Sequence, residues 1–254
     1  MIADLRYGSE PARDFDELIS LVPDSEITSP VCSTVVNLGY WKKMTDRLFE
    51  IVTRLGFKQE RGFSATFEYL LSPQRGKGNP SHTDLMLMAP ATRIAIEAKF
   101  TESRYETVAK WLGKGNAGNR QLVLSGWTRL LEIESSESIL HLPYQLIHRA
   151  ASSCAGKETY RAMVYLQFVD DQQKSAKLAS VIDDMKSMRR LVSSQKLNFL
   201  SVIMIPVSLT DACHSLQRRW TNPHERIELP DEIREAIRSN NLYVYGEPRV
   251  VLLV

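Results

Sequence analysis

A chain of 254 residues with 43% hydrophobic and 24% charged residues is long enough and apolar enough to fold around its own core, which excludes a disordered or low-complexity polypeptide. A net charge of +2 permits a polyanionic partner without demanding one. The three cysteines, odd in number and far apart, exclude a disulfide framework and suggest reduced thiols in a cytoplasmic setting, while apolar runs well short of about 18 residues predict no membrane partner.

From the N-terminus, Pro11, Pro23, Pro30 and Gly39 interrupt residues 1–40, predicting an irregular extension with a short helix at 13–21. Residues 41–55 place Trp41, Met44, Leu48, Ile51, Val52 and Leu55 on one stripe ahead of Gly56, an amphipathic helix with a glycine stop. FSATFEYLL (63–71) predicts a second short helix ended by Ser72-Pro73, and 72–81 a basic, glycine-rich loop. Two strand arms, LMLM (85–88) and RIAIEAK (93–99), follow. An apolar turn at Trp111, a loop GKGNAGN (113–119) and a helix carrying Leu122, Val123, Trp127, Leu130 and Leu131 come next, then a helix at 143–154. RAMVYLQFV (161–169) and LNFLSVIMIPVSL (197–209) read as buried strands around a helix at 173–193. A short helix near 230–239 and a strand pair, NLYVYG and RVVLLV, close the chain. The order predicts one α/β domain over 1–254, its sheet flanked by helices on both faces.

The segment from His82 to Phe100 holds the chemistry. Taking Ala89–Thr92 as a four-residue hairpin loop pairs Met88 with Arg93 and, counted outward, sets Asp84 opposite Glu97. Opposed Cβ atoms lie about 4.5–5.5 Å apart, and strand alternation puts Lys99 on the face of Glu97. Two carboxylates that close repel unless one takes a proton or a cation sits between them. Magnesium, held by carboxylates and water, resolves the repulsion, and the ammonium of Lys99 then faces an anion held at the metal. The other reading of these residues is a half-exposed strand pair whose polar face is simply solvated.

Asp84 followed by Glu97-Ala98-Lys99 on the next strand resembles the PD-(D/E)xK nuclease superfamily, over roughly residues 41–169. The resemblance implies a restriction-endonuclease-like fold: a helix, a three-strand meander carrying the acids, a helix and a further strand in a mixed central sheet, with residues 1–40 as an N-terminal extension. It implies metal-dependent phosphodiester hydrolysis, most often of DNA, with Mg2+ as cofactor and Mn2+ able to replace it. Asp84 and Glu97 would bind the metal, Lys99 would orient or deprotonate the attacking water, and a further acid would come from Glu68 or, less well placed, Glu50. Thr83 stands where the superfamily pattern has proline.

In LPYQLIHRAASSC the polar residues Gln145, His148, Arg149 and Ser152 share a face opposite Leu146, Ile147, Ala150, Ala151 and Cys154. Similar helices in the superfamily imply that Gln145 holds the lysine or the water, and that His148 or Arg149 meets phosphate. Arg75 and Lys77 are further candidates for nucleic-acid contact, equally readable as solvated surface cations, and so are Lys114 and Arg120, for which a solvated loop is the better reading. GKGNAGNR lacks the Lys-Ser/Thr of a phosphate loop, so nucleotide binding by that route is rejected. A DNA endonuclease is therefore the leading expectation. A non-catalytic nucleic-acid-binding module on the same fold and a nuclease of RNA or branched substrates are the alternatives, and the low net charge favours a homodimer or a partner subunit.

Overall fold

The computed structural model describes residues 2–57, 62–102, 104–170, 176–222 and 229–254. Two short strands, β1 (Ile2–Tyr7) and β2 (Glu10–Ala12), precede helix α1 (Phe15–Leu21), whose first turn is capped by the Asp14 carboxylate accepting from the Glu17 amide. A 3-10 turn at Asp24–Glu26 leads to α2 (Ser33–Trp41) and α3 (Met44–Arg54). The meander β3 (Phe63–Leu71), β4 (Ser81–Met88) and β5 (Thr92–Lys99) follows. Helices α4 (Val108–Leu112), α5 (Ala117–Leu131) and α6 (Tyr144–Ser153) separate it from β6 (Tyr160–Asp170). The remaining elements are α7 (Ala176–Leu191), β7 (Phe199–Leu209), α8 (Asp211–Trp220), α9 (Leu229–Arg238), β8 (Tyr243–Tyr245) and β9 (Arg249–Leu253).

Among the described residues nine strands join one mixed sheet in the order β2-β1-β3-β4-β5-β6-β7-β8, with β9 also on β7. The pairs β1–β3, β5–β6 and β6–β7 are parallel and the others antiparallel. Every residue of β5 is buried, as a central strand with a parallel neighbour requires. Ile94 and Ile96 are wholly buried, each stabilising the fold by about 1.5–3 kcal/mol. One face of the sheet packs Leu85, Leu87, Ile94 and Ile96 against α1, α2, α3, α8 and α9. The other packs Met86, Ala95, Met163 and Tyr165 against α4 to α7. The chain is thus an α/β protein with helices on both faces. Among the described residues no helix is long and apolar enough to cross a membrane, and Cys32, Cys154 and Cys213 are free.

Several elements depart from the sequence reading. The predicted short helix at 63–71 is the strand β3: Phe63, Ala65 and Phe67 are buried at a period of two, and the segment's aromatic residues and Thr66 suit a pleated surface. The extension 1–40 is not irregular, because β1 inserts parallel to β3 and α2 forms over residues predicted to be loop. The stripe from Trp41 to Leu55 is buried as expected, but the helix is interrupted by a turn after Trp41, so the stripe spans the end of α2 and all of α3. Helix α5 begins within the predicted glycine loop. Helix α7 lies in the predicted 173–193 helix, whose first residues fall outside those described. The closing strands β8 and β9 pair with β7 instead of with each other.

Candidate active site

The hairpin forms in the predicted register. Met88 pairs with Arg93, Leu87 with Ile94, Met86 with Ala95 and Leu85 with Ile96. Ala89 and Thr92 exchange hydrogen bonds of 2.8 and 3.2 Å, so the loop tightens to Pro90-Ala91 without changing that register. Beyond Leu85 the ladder stops. The Asp84 carboxylate takes over, its Oδ2 accepting from the Ala98 amide at 2.7 Å. Asp84 is therefore anchored to the backbone of the strand that carries Glu97.

Glu97 is wholly buried, and each of its oxygens faces a cation. Lys99 Nζ donates to Oε1 at 2.5 Å, and Arg149 Nε donates to Oε2 at 2.6 Å. Burial pushes the Glu97 carboxyl upward, but Arg149 and then Lys99 outweigh it and hold it below the ordinary carboxylate range. Burial likewise pulls Lys99 down, while Glu97 and Asp84 more than offset this, so the ammonium stays charged across the physiological range. It also sits 4.2 Å above the Tyr105 ring.

Glu68 completes the row. In the β3–β4 ladder Phe67 pairs with Leu85 and Tyr69 with Thr83, which places Glu68 opposite Asp84. Glu68 adopts φ = 48°, the left-handed region that non-glycine residues rarely occupy. The pleat slips at this row: Phe63, Ala65 and Phe67 face one side of the sheet, whereas Tyr69 and Leu71 pack on the other. Burial, then the charges of Asp84 and Glu26, push Glu68 up to about 8. Burial, then Glu97, push Asp84 up to about 7.

A family model described as "Domain of unknown function (DUF6946)" matches residues 11–208, from β2 to β7, taking in each of these acids and cations. The chain belongs to that family. No curated protein and no solved structure matches it.

In this DUF6946 chain the helix α6 lies differently from the amphipathic reading. Arg149, expected to meet phosphate, is 6% exposed and bonded to Glu97 instead, because its face of the helix packs against the base of the hairpin. A polar face tolerates such burial only when its groups are paired. Arg149 NH1 donates to Ser81 Oγ at 3.0 Å, and Ser81 Oγ lies 2.8 Å from His148 Nδ1. Burial, then Arg149, hold His148 well below its usual range, so it is neutral at pH 7. Gln145, one turn ahead of Arg149, has a buried Oε1 without a hydrogen-bond partner. The side chain that Lys99 bonds is Glu97.

The other candidates scatter. Glu50 pairs with Arg47 and Arg54 on α3. Lys114 pairs with Glu106 at 2.5 Å. Arg75 and Lys77 are exposed on the loop before β4. Arg120 lies 5.0 Å over Trp111 and donates to its carbonyl. Two contributors had no sequence signal: Glu26, whose charge reaches Glu68, and Tyr7, whose buried hydroxyl has no hydrogen-bond partner and is raised by burial, Glu68 and Glu26. Both come from the N-terminal segment: the parallel insertion of β1 pairs Tyr7 with Phe67, next to Glu68, and the 3-10 turn at Asp24–Glu26 supplies Glu26.

Acids outnumber cations here, with Glu26, Glu68, Asp84 and Glu97 around Lys99 and Arg149. Among the described residues no three His, Cys, Asp or Glu side chains converge closely enough to hold a metal alone. Burial and neighbouring carboxylates disfavour the charged forms of Glu68 and Asp84, and a divalent cation would relieve that; the pair fits magnesium, which takes one or two carboxylates and fills its shell with water. Glu97, expected as a ligand, already has both oxygens engaged by cations.

The upward shift of Glu68 has a pH consequence. Between the unfolded value of 4.5 and about 8, the folded chain keeps a proton that the unfolded chain has lost, so this group lowers stability as pH rises through that window. Glu68→Gln is therefore expected to raise the melting temperature at pH 8 relative to wild type and to leave pH 5 little changed. Parallel melting curves for the two proteins from pH 5 to 8 would show that Glu68 carries no such proton.

Proposed function

We propose that this chain is a metal-dependent nuclease of the restriction-endonuclease-like type, cleaving phosphodiester bonds in DNA. The observation that carries the reading is the meeting of Asp84, Glu97 and Lys99 at the end of the β4–β5 hairpin, in the register that their spacing predicts. The order α3, meander, α4 to α6, parallel β6 supports it, since it follows the sequence of elements in that fold. Glu68 and Asp84 would hold Mg2+, or Mn2+ in its place, and the bound ion would supply a Lewis acid and a more acidic water.

The protein's own residues divide the remaining work. Lys99, charged and buried, presents a fixed positive centre to a phosphate, which favours orienting water and stabilising developing charge over taking a proton. Glu97 holds that ammonium, and Arg149 holds Glu97. The free thiols fit a cytoplasmic setting, and the modest net charge fits a homodimer or a partner subunit that helps to grip the substrate.

A second reading is favoured by one observation: both oxygens of Glu97 are neutralised from within the chain. A non-catalytic nucleic-acid-binding module would tolerate that arrangement. A cleavage panel separates the two. Purified protein is incubated with duplex, single-stranded and branched DNA and with RNA, with Mg2+ or Mn2+ or with EDTA. Metal-dependent cutting of DNA, lost in Asp84→Asn, is expected. Salt-sensitive binding without cutting of any substrate would establish the second reading, and cutting of RNA alone would move the substrate class.

A further inference from the structure

Beside the acids lies a cleft of about 470 Å³ that no catalytic role yet uses. One wall is the loop before β4, with Lys77 at its rim, and the other is built by Trp111, Arg120, Trp127, Tyr144 and His148. The volume falls within the roughly 300–1,000 Å³ of pockets that enclose small ligands. We propose that this cleft receives one unpaired nucleotide of the substrate strand, its base on the aromatic wall and its phosphate toward Lys77 and Arg120. The inference rests on the nuclease reading for its substrate and deepens it: the strand must be single or locally unpaired.

The wall is rigid before anything binds. Trp111 and Tyr144 stack at 3.7 Å and 8°. Trp127 Nε1 donates to the Tyr144 hydroxyl at 3.1 Å. The facing loop is tied down as well. Asn119 on α5 accepts from the Lys77 amide at 2.7 Å and donates back to its carbonyl at 2.5 Å. Gly76, at φ = 73°, lets this loop approach, since a Cβ there would meet Val123 Cγ2 at 2.8 Å. Ordered walls spare a ligand the entropy of arranging them.

Charge and hydrogen-bonding narrow the ligand. Lys77 and Arg120 line the cleft and no carboxylate does, so the occupant is anionic. Ser81 Oγ receives Arg149 NH1 at 3.0 Å, and the same NH1 lies 3.4 Å from His148 Nδ1, so Nδ1 is an acceptor and takes the Ser81 proton at 2.8 Å. His148 then carries its proton on Nε2, a neutral donor. Bare phosphate has no use for an aromatic wall, and an apolar ligand has none for the cations; a nucleotide uses both. A base paired in a duplex has its faces stacked and its edge bonded, so only an unpaired one can enter. The cleft is also joined to the acids, since Glu97, Arg149, Ser81 and His148 form one continuous hydrogen-bonded chain. A strand whose phosphate lies at the acids thus has a neighbouring nucleotide within reach of the cleft.

The test measures binding apart from cutting. In EDTA, a fluorescein-labelled twelve-nucleotide single strand, the same sequence as a blunt duplex, and free thymidine monophosphate are titrated against wild type, Trp111→Leu and Lys77→Met. Lys77 is exposed on its loop, so its variant folds even if Trp111→Leu does not. The single strand is expected to bind about tenfold more tightly than the duplex and to quench tryptophan fluorescence, and each variant to weaken single-strand binding about tenfold and duplex binding by less. Equal affinity for both forms, or variants that bind the single strand like wild type, would overturn the proposal. Tight binding of the monophosphate without the oligonucleotide would overturn the strand as its source. If the cleft binds as expected while no substrate is cut in metal, the nuclease reading falls and the cleft stands. If duplex is cut and both variants are silent, the reverse holds.

Discussion

Lys99→Met is expected to slow metal-dependent cleavage by about 10²–10³-fold at saturating substrate, the usual cost of removing one preorganised charge from a transition state. Methionine keeps the length and apolar stem of lysine and deletes only the ammonium. Glu97 loses its partner at Oε1 but retains Arg149 at Oε2, so the fold survives with reduced stability. Because Glu97 and Asp84 raise the Lys99 ammonium above its ordinary range, no alkaline loss of activity from its deprotonation is expected below about pH 10. Single-turnover rates from pH 6 to 10, with a thermal melt of each protein as a folding control, provide the measurement. A folded Lys99→Met protein that cuts at the wild-type rate would remove the ammonium from the chemistry and with it the assignment of the site.

Arg149→Met is expected to be the most destabilising change at the site. It strands one oxygen of a wholly buried carboxylate and takes the guanidinium donor from Ser81. Breaking a buried pair by removing one partner costs about 3–5 kcal/mol, which for a chain of this size lowers the melting temperature by about 6–20 °C. Glu97→Gln in the same background is expected to restore part of the loss, since the uncompensated charge goes with it. If Arg149 were the outward phosphate contact that its helical face suggests, truncation would cost less than about 0.5 kcal/mol and the second substitution would add damage. Melting of the wild type, the two single variants and the double variant decides between these outcomes.

The hairpin was legible because its determinants are local. Apolar residues in both arms and Pro90-Ala91 between them fix which residues oppose, and the ladder from Met88–Arg93 to Leu85–Ile96 follows. Helix α3 and the strands β6 and β7 were legible for the same reason: each carries a long, regular pattern. FSATFEYLL was not, because nine residues satisfy a short helix or a strand alike until neighbouring strands supply the ladder. Glu68 was named on the wrong element and stands opposite Asp84 in the β3–β4 pair.

Arg149 marks the other limit. Periodicity groups it with Gln145, His148 and Ser152, and that grouping is intrinsic to the helix. Whether water or protein covers the group depends on where α6 lands, and it lands on the hairpin with Arg149 against Glu97. Glu26 and Tyr7 are further cases, brought near Glu68 by strands and turns far away in sequence. Sequence by itself determined the register that brings Asp84 and Glu97 to the same end of the hairpin, because a pleat and a tight turn are short-range geometry. Only tertiary structure decided which cations neutralise Glu97, which acids keep their protons and where the adjoining cleft opens, because burial and charge are set by whatever packs above the sheet.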